Sequence, residues 1–297
     1  MKRRTFIQNG SLALSLTALP SWLPFPKPTQ AEMVLLRRNV GFFKERGGTI
    51  GWLNDPHGIV VIDSQWPEQS DYLIDKIMNG TFRPVNYLIN THHHGDHTSG
   101  NISFKGIAAH VLAHENSKIN QIRVAKQNQN EEVQLYPDIT YTTRWQEQVG
   151  DEFIDIQYLG PAHTNGDSII HFQHANIVHV GDLVFNRRYP FIDKSSGASM
   201  DNWINILQTM QSYFDAETRF IFGHAQDNYQ VTGGKEDLAA FADYLTAVLE
   251  FVEGEIKAGK SKDEILLATA IPGANEWTGE GIQRSLSAAF TELMEKQ

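Results

Sequence analysis

The chain has no cysteine among its 297 residues. That excludes disulfides, thiolate nucleophiles and thiolate metal ligands together, so stability must come from packing or from bound metal. Basic residues are scarce as well: 25 lysines and arginines face 35 aspartates and glutamates. Nucleic acid, whose backbone calls for a basic stripe, is therefore not an expected partner. No stable membrane anchor is expected either, because the longest apolar candidate, residues 10–23, falls short of the roughly 20 residues a bilayer span needs. No repeat or low-complexity segment stands out. What is left is 41% hydrophobic and 20% charged, enough for one large core or two modest domains.

Residues 1–31 are set apart by composition. They carry Arg3 and Arg4, then Phe6 and Ile7, an apolar run, and Pro20, Pro24, Pro26 and Pro28, which would break any continuing helix. The segment resembles a twin-arginine export signal, with Ala31 before the cut. That resemblance implies the twin-arginine export machinery as the precursor's partner, a periplasmic location and a mature domain over 32–297. Without Lys2, Arg3, Arg4 and Lys27 the remainder keeps 21 basic against 35 acidic residues.

Local signals organise the rest. "TIGWLN" (49–54) and "IVVID" (59–63) are short β-rich runs joined by the turn "DPHG", a hairpin pattern. Pro67 opens a helix that Gly80 stops. "VNYLIN" (85–90) is a buried strand, followed by a strand at "KGIAAHV" and a helix at "AHENSKINQIRVAKQ". Strand pairs fill 141–173, an apolar strand runs over 177–185, and residues 200–214 form an amphipathic helix. "RFIFGHA" ends a further strand at His224. The tail, from about 234 to 297, is a helical extension: Phe241, Tyr244, Leu245, Val248, Leu249, Val252 and Ile256 mark one apolar face. The long connections within 115–140 and 186–200 are the expected mobile parts.

The densest chemistry lies in "INTHHHGDHTSGN", which packs four histidines and an aspartate into His92–His97. His92 and His94, two apart on a loop leaving a strand, can point to one side. Gly95 lets the chain turn, so Asp96 and His97 can aim at a second point. Imidazole and carboxylate suit a borderline cation such as zinc. An isolated histidine is usually a satisfied polar group, and His57, His110, His114, His171, His174 and His179 are read that way.

This stretch resembles the His-x-His-x-Asp-His signature of the metallo-β-lactamase superfamily, and three further motifs over residues 45–225 agree with it. They are "GPAHTNGDS" with His163, "VGDLVF" with Asp182 and "FGHAQ" with His224, each expected at the end of an apolar strand. The resemblance implies an α/β fold, an αββα four-layer sandwich of two mixed β-sheets flanked by helices. It also implies two Zn2+ per chain, one on His92, His94 and His163, the other on Asp96, His97 and His224, with Asp182 bridging. His93 is left free by the pattern and should face away. Asp63 stands where the family has an acidic residue that orients the metal loop.

The implied activity is that of an exported zinc-dependent hydrolase delivering hydroxide to a lactam, lactone, ester or thioester, with Asp96 also orienting the nucleophile. Mononuclear-iron oxidation of the persulfide-dioxygenase type and phosphodiester hydrolysis are the alternatives. Asp182 stands where many β-lactamases of the superfamily have a cysteine. The tail, with six basic and twelve acidic residues, suits an anionic tripeptide poorly. In "FNRRYPFID", just after Asp182, the side chains Arg187, Arg188, Tyr189 and Phe191 are candidates for holding a small-molecule substrate. Trp52 and His57 are candidates for the opposite wall.

Overall fold

A computed structural model describes residues 31–79 and 83–296. The paired arginines and the rest of the leader, apart from Ala31, lie outside the described residues. The first sheet takes its strands in chain order: β1 (Glu32–Arg37), β2 (Val40–Lys44), β3 (Ile50–Asp55), β4 (Gly58–Ile62), β5 (Val85–Asn90), β6 (Ala108–His114) and β7 (Ile139–Tyr141). β1 to β4 pair antiparallel and β4 to β7 parallel. The parallel half needs crossovers, supplied by helix α1 (Pro67–Met78) and by α3 (Glu115–Asn128). The hairpin expected at residues 49–63 is present as β3 and β4. Its turn is held by the Asp55 carboxylate, which accepts from the His57 amide at 2.9 Å.

The second sheet runs in the order β13 (Thr232–Gly233), β12 (Arg219–Ala225), β11 (Ile177–Asn186), β10 (Ile169–Phe172), β9 (Glu152–Gln157), β8 (Arg144–Val149). All its pairings are antiparallel except β11 with β12. Helix α4 (Met200–Tyr213) is capped by Ser199, whose hydroxyl accepts from the Asn202 amide. It turns Met200, Trp203, Ile206, Leu207 and Met210 inward at helical spacing. Helices α5 (Lys235–Lys257), α6 (Lys262–Ile265) and α7 (Ile282–Glu295) follow.

The buried apolar residues fall into three clusters, and these define the layers. One lies between the sheets, with Leu53, Val60, Ile62, Ile154, Ile170 and Ile221. A second seals α1 to the first sheet through Val61, Leu73, Ile77 and Leu88. The third fixes α4, α5 and α7 to the second sheet through Trp203, Phe220, Phe241, Leu245 and Leu286. Each such side chain, fully buried, contributes about 1.5–3 kcal/mol against leaving it exposed. The fold is the expected αββα sandwich. The helix expected at "AHENSKINQIRVAKQ" is present as α3, with Ser117, Asn120, Gln121 and Ala125 buried, so only the part of 115–140 beyond Asn128 is left as a connection. No helix among the described residues is long and apolar enough to cross a membrane.

Most histidines outside the cluster have found partners. His110 meets Asp138 at 2.8 Å, His174 donates to the Asp151 carbonyl, and His179 to the Thr49 carbonyl. His171, on β10, has not: both its ring nitrogens are buried and neither has a hydrogen-bond partner. Burial lowers its pKa below the ordinary value, against the pull of Asp155 and Asp215. An unfolded imidazole takes its proton near pH ~6.5 while the folded one resists, so stability falls as pH drops below that point. His171→Leu should thus gain melting temperature over the parent, and the gain should grow from about pH 8 to about pH 5. A pH-independent difference in thermal melts would show that His171 carries no such cost.

Candidate metal centre

Strand β5, flanked by β4 and β6, delivers Thr91 to His94 at the sandwich edge, where helix α2 (Gly95–Thr98) begins. The buried Asp63, just past β4, pins this loop. It accepts from the Thr91 amide and hydroxyl, both at 2.7 Å, and meets His97 Nδ1 at 2.7 Å. Asn90 and Asn101 exchange side-chain amide bonds across the loop at 3.0 and 2.9 Å. His163 arrives on the loop leaving β9, tied by its carbonyl to the Asp193 amide. Asp182 lies within β11 rather than at its end: the strand continues to Asn186, but its pairing with β12 breaks step on both sides of Gly181. His224 sits near the end of β12.

These residues converge. His94 Nδ1 lies 3.0 Å from His92 Nε2 and 2.9 Å from His163 Nε2. Asp182 faces both halves of the cluster. Its Oδ2 lies 3.9 Å from His92 Nε2 and 3.4 Å from His163 Nε2, and its Oδ1 lies 3.0 Å from His97 Nε2 and 3.4 Å from His224 Nε2. Asp96 Oδ2 is 3.2 Å from His224 Nε2. Within each of two groups, His92, His94, His163 and Asp182, and Asp96, His97 and His224, the possible ligand atoms lie within 4.8 Å of one another.

The outer hydrogen bonds test whether a cation fits. His163 Nδ1 donates to the Phe191 carbonyl at 2.7 Å, and His94 Nε2 to Asp193 Oδ2 at 3.1 Å. The Thr91 hydroxyl, its proton spent on Asp63, accepts from His92 Nδ1 at 3.0 Å. Each outer nitrogen therefore holds a proton, and each inner nitrogen points a lone pair at the other two. One proton shared among three acceptors satisfies the set poorly, whereas a cation at their focus satisfies all three. His97 Nε2 and Asp182 Oδ1 are buried with no directed hydrogen-bond partner, as expected of atoms awaiting the same kind of ligand. A His/Asp cluster of this make-up suits a divalent metal.

The electrostatics divide along the same line. Burial pushes His163 down to about 3 and, with His97, holds His92 well below its ordinary value. Burial also opposes charge on His97 and His224, but Asp182 leads the carboxylates that outweigh it, raising His97 well above normal and His224 to about 9. Burial would raise Asp182, yet His224 and His97 keep it well below the carboxylate range. His93, as expected, turns from this focus, with Nε2 3.2 Å from Ser196 Oγ.

A cleft of about 470 Å3 opens over the cluster, lined by Trp66, Phe185, Arg188, Tyr189 and Phe191 among others. Of the side chains singled out for substrate, Arg187 is not there. Its guanidinium pairs with Asp237 at 3.1 Å and Glu276 at 3.0 Å and lies over the Trp277 ring. A positive φ of 58° at Arg187 turns the chain and parts it from Arg188. Trp52 is core and His57 is turn, so the opposite wall is Trp66 instead. The sequence also gave no sign of Asp193, or of two glycines required by close approach. A Cβ on Gly48 would stand 2.1 Å from His97 Cε1, and one on Gly223 2.0 Å from Asp182 Oδ1.

The sequence profile of the metallo-beta-lactamase superfamily matches residues 44–224. The chain is 25% identical to metallo-beta-lactamase IND-1 of Chryseobacterium indologenes over 185 residues, 61% of this chain and 73% of that protein. It is 26% identical over 138 residues to the 2,4-dinitroanisole O-demethylase subunit alpha of Nocardioides sp., 43% of this chain but only 38% of that one. Among solved structures, a metallo-beta-lactamase from Pontibacter korlensis superposes with a TM-score of 0.60 at 19% identity, covering 73% of this chain and 99% of its own. The sec-alkyl sulfatase PisA1 reaches 0.68 at 12% identity, covering 89% of this chain and half of that one. With its profile spanning the cluster's ligand-bearing strands and its sandwich shared with these structures, the chain belongs to the metallo-beta-lactamase superfamily.

Proposed function

We propose that the protein is an exported di-zinc hydrolase acting on a carbonyl-type substrate: a lactam, lactone, ester or thioester. The observation that carries the reading is Asp182, one carboxylate with an oxygen turned to each half of the cluster. His92, His94 and His163 would hold one ion, Asp96, His97 and His224 the other, with Asp182 between them. Two bound cations would supply Lewis acidity, bringing a water's pKa from about 15.7 toward about 7 and polarising the bond under attack. The chain's own contribution is placement. Asp96, the most exposed carboxylate of the cluster at 31%, borders the cleft, where its carboxylate can orient a water for attack. Phe185, stacked on His224 at 5.2 Å, and the exposed Phe191 give the cleft apolar surface beside the cluster.

The relatives' names span a lactam, a methyl ether and an alkyl sulfate, so bond type is what must be screened. Protein recovered from the periplasm should have lost residues 1–31, carry two zinc ions per chain and hydrolyse at least one of the four carbonyl classes. Iron in place of zinc, or turnover confined to phosphodiesters or sulfate esters, would overturn the assignment.

A further inference from the structure

The cleft carries two guanidinium groups that pair with no acid among the described residues, in a chain where acids outnumber bases 35 to 25. Arg188 follows Arg187, whose guanidinium is held by Asp237 and Glu276, and its own backbone bridges to Thr278, so the tail fixes where it stands. Arg284 comes from the first turn of α7, its guanidinium 5.8 Å from the Phe191 ring centroid. That ring lies 5.3 Å from the imidazole of His94. A fixed positive charge, one aromatic ring and the metal cluster thus follow one another along one wall. Trp66 and Tyr189 add apolar surface, and Glu280 is an acid of the lining outside the metal cluster, four residues before Arg284 in the chain.

We propose that the cleft selects substrates bearing a single oxyanion, a carboxylate or sulfonate, set back from the bond to be cut by an apolar segment about as long as one aromatic ring. Arg188 and Arg284 hold the oxyanion and Phe191, with Trp66 and Tyr189, receives the apolar segment. Guanidinium suits this task because its donors form a planar fork that matches an oxyacid. Glu280, on the same lining, offsets part of the positive charge of the two guanidinium groups, so that the pair is matched to one oxyanion. This deepens the hydrolase reading and rests on the same cleft being the substrate site.

The test is binding of phenylbutyrate and phenylpropanesulfonate against neutral phenylbutyramide, by calorimetry on the full mature chain. A carboxylate can also go straight to bound metal, so each measurement is repeated after chelator treatment. We expect both anions to bind about tenfold tighter than the amide with or without metal. Arg188→Ala and Arg284→Ala should each lose about threefold to fivefold of that preference, and the double variant all of it. Arg284→Lys should recover part, and Glu280→Gln should tighten the anions while leaving the amide alone. Both arginines are exposed, so the variants should melt with the parent. No preference in the parent, a preference that vanishes on chelation, or one unchanged in the double variant would overturn the proposal. An intact preference in a protein that hydrolyses nothing would support the anion site and sink the hydrolase reading.

Discussion

Asp182→Ser should, on the proposed di-zinc reading, lower the zinc content from two toward one per chain and move the pH of half-maximal activity upward. Two divalent cations a few ångströms apart repel, and the carboxylate between them is what makes the pair tolerable. Its oxygens face the two halves unequally, at 3.0 Å for His97 and 3.4 Å for His163. The half built on Asp96, His97 and His224 should therefore lose its ion first. With one cation fewer to acidify the attacking water, activity needs a higher pH. Metal analysis with a pH–rate profile reads both effects. Two tightly held zincs and an unmoved profile would mean that Asp182 is not a bridge.

His94→Ala should cost more still. Its Nδ1 is the common neighbour of His92 and His163, so removing it opens the focus of three nitrogens. Loss of an outer partner alone costs about 10–100-fold in metal affinity or activity, and loss of an inner one should exceed that. The neighbouring His93→Ala makes the control. Its imidazole is buried against Ser196 and Asp193, outside the focus, so the change should cost about 1–3 kcal/mol of stability and leave metal content near the parent's. Equal loss of metal in both variants, by elemental analysis, would show that the ligand assignment is displaced by one residue.

How much of this could be read from the chain depends on how local each signal is. The β3–β4 hairpin, α1, β5 and α4 were legible because turn residues, a proline at a helix start and periodic apolar residues act within a few positions. The run His92–His97 was legible for the same reason. β1 and β2 were not, since "EMVLLR" and "VGFFK" are short runs without a turn signature between them that distinguishes strand from leader. Asp193 could not be found because its meaning lies in His94, brought to 3.1 Å by a loop from elsewhere in the chain. Arg187 and Arg188 looked alike because adjacent residues share a sequence context. The backbone turn at Arg187 parts them, so that Arg187 is held by Asp237 and Glu276 while Arg188 lines the cleft.

The hydrogen bonds behind the imidazoles also bear on how this chain balances folding against use. Asp193, Thr91 and the Phe191 carbonyl fix which ring nitrogen of His94, His92 and His163 bears its proton, so the rings cannot swap tautomers to relieve the crowd of lone pairs. Without a cation, the native basin holds a knot of local frustration at its most tightly specified point. Replacing the three imidazoles with well-packed apolar side chains would relieve it, giving a metal-free chain that resists heat better and does no chemistry. A chain optimised for folding alone would discard these histidines, so stability-guided redesign of this protein must hold them, and the three acceptors behind them, fixed from the outset.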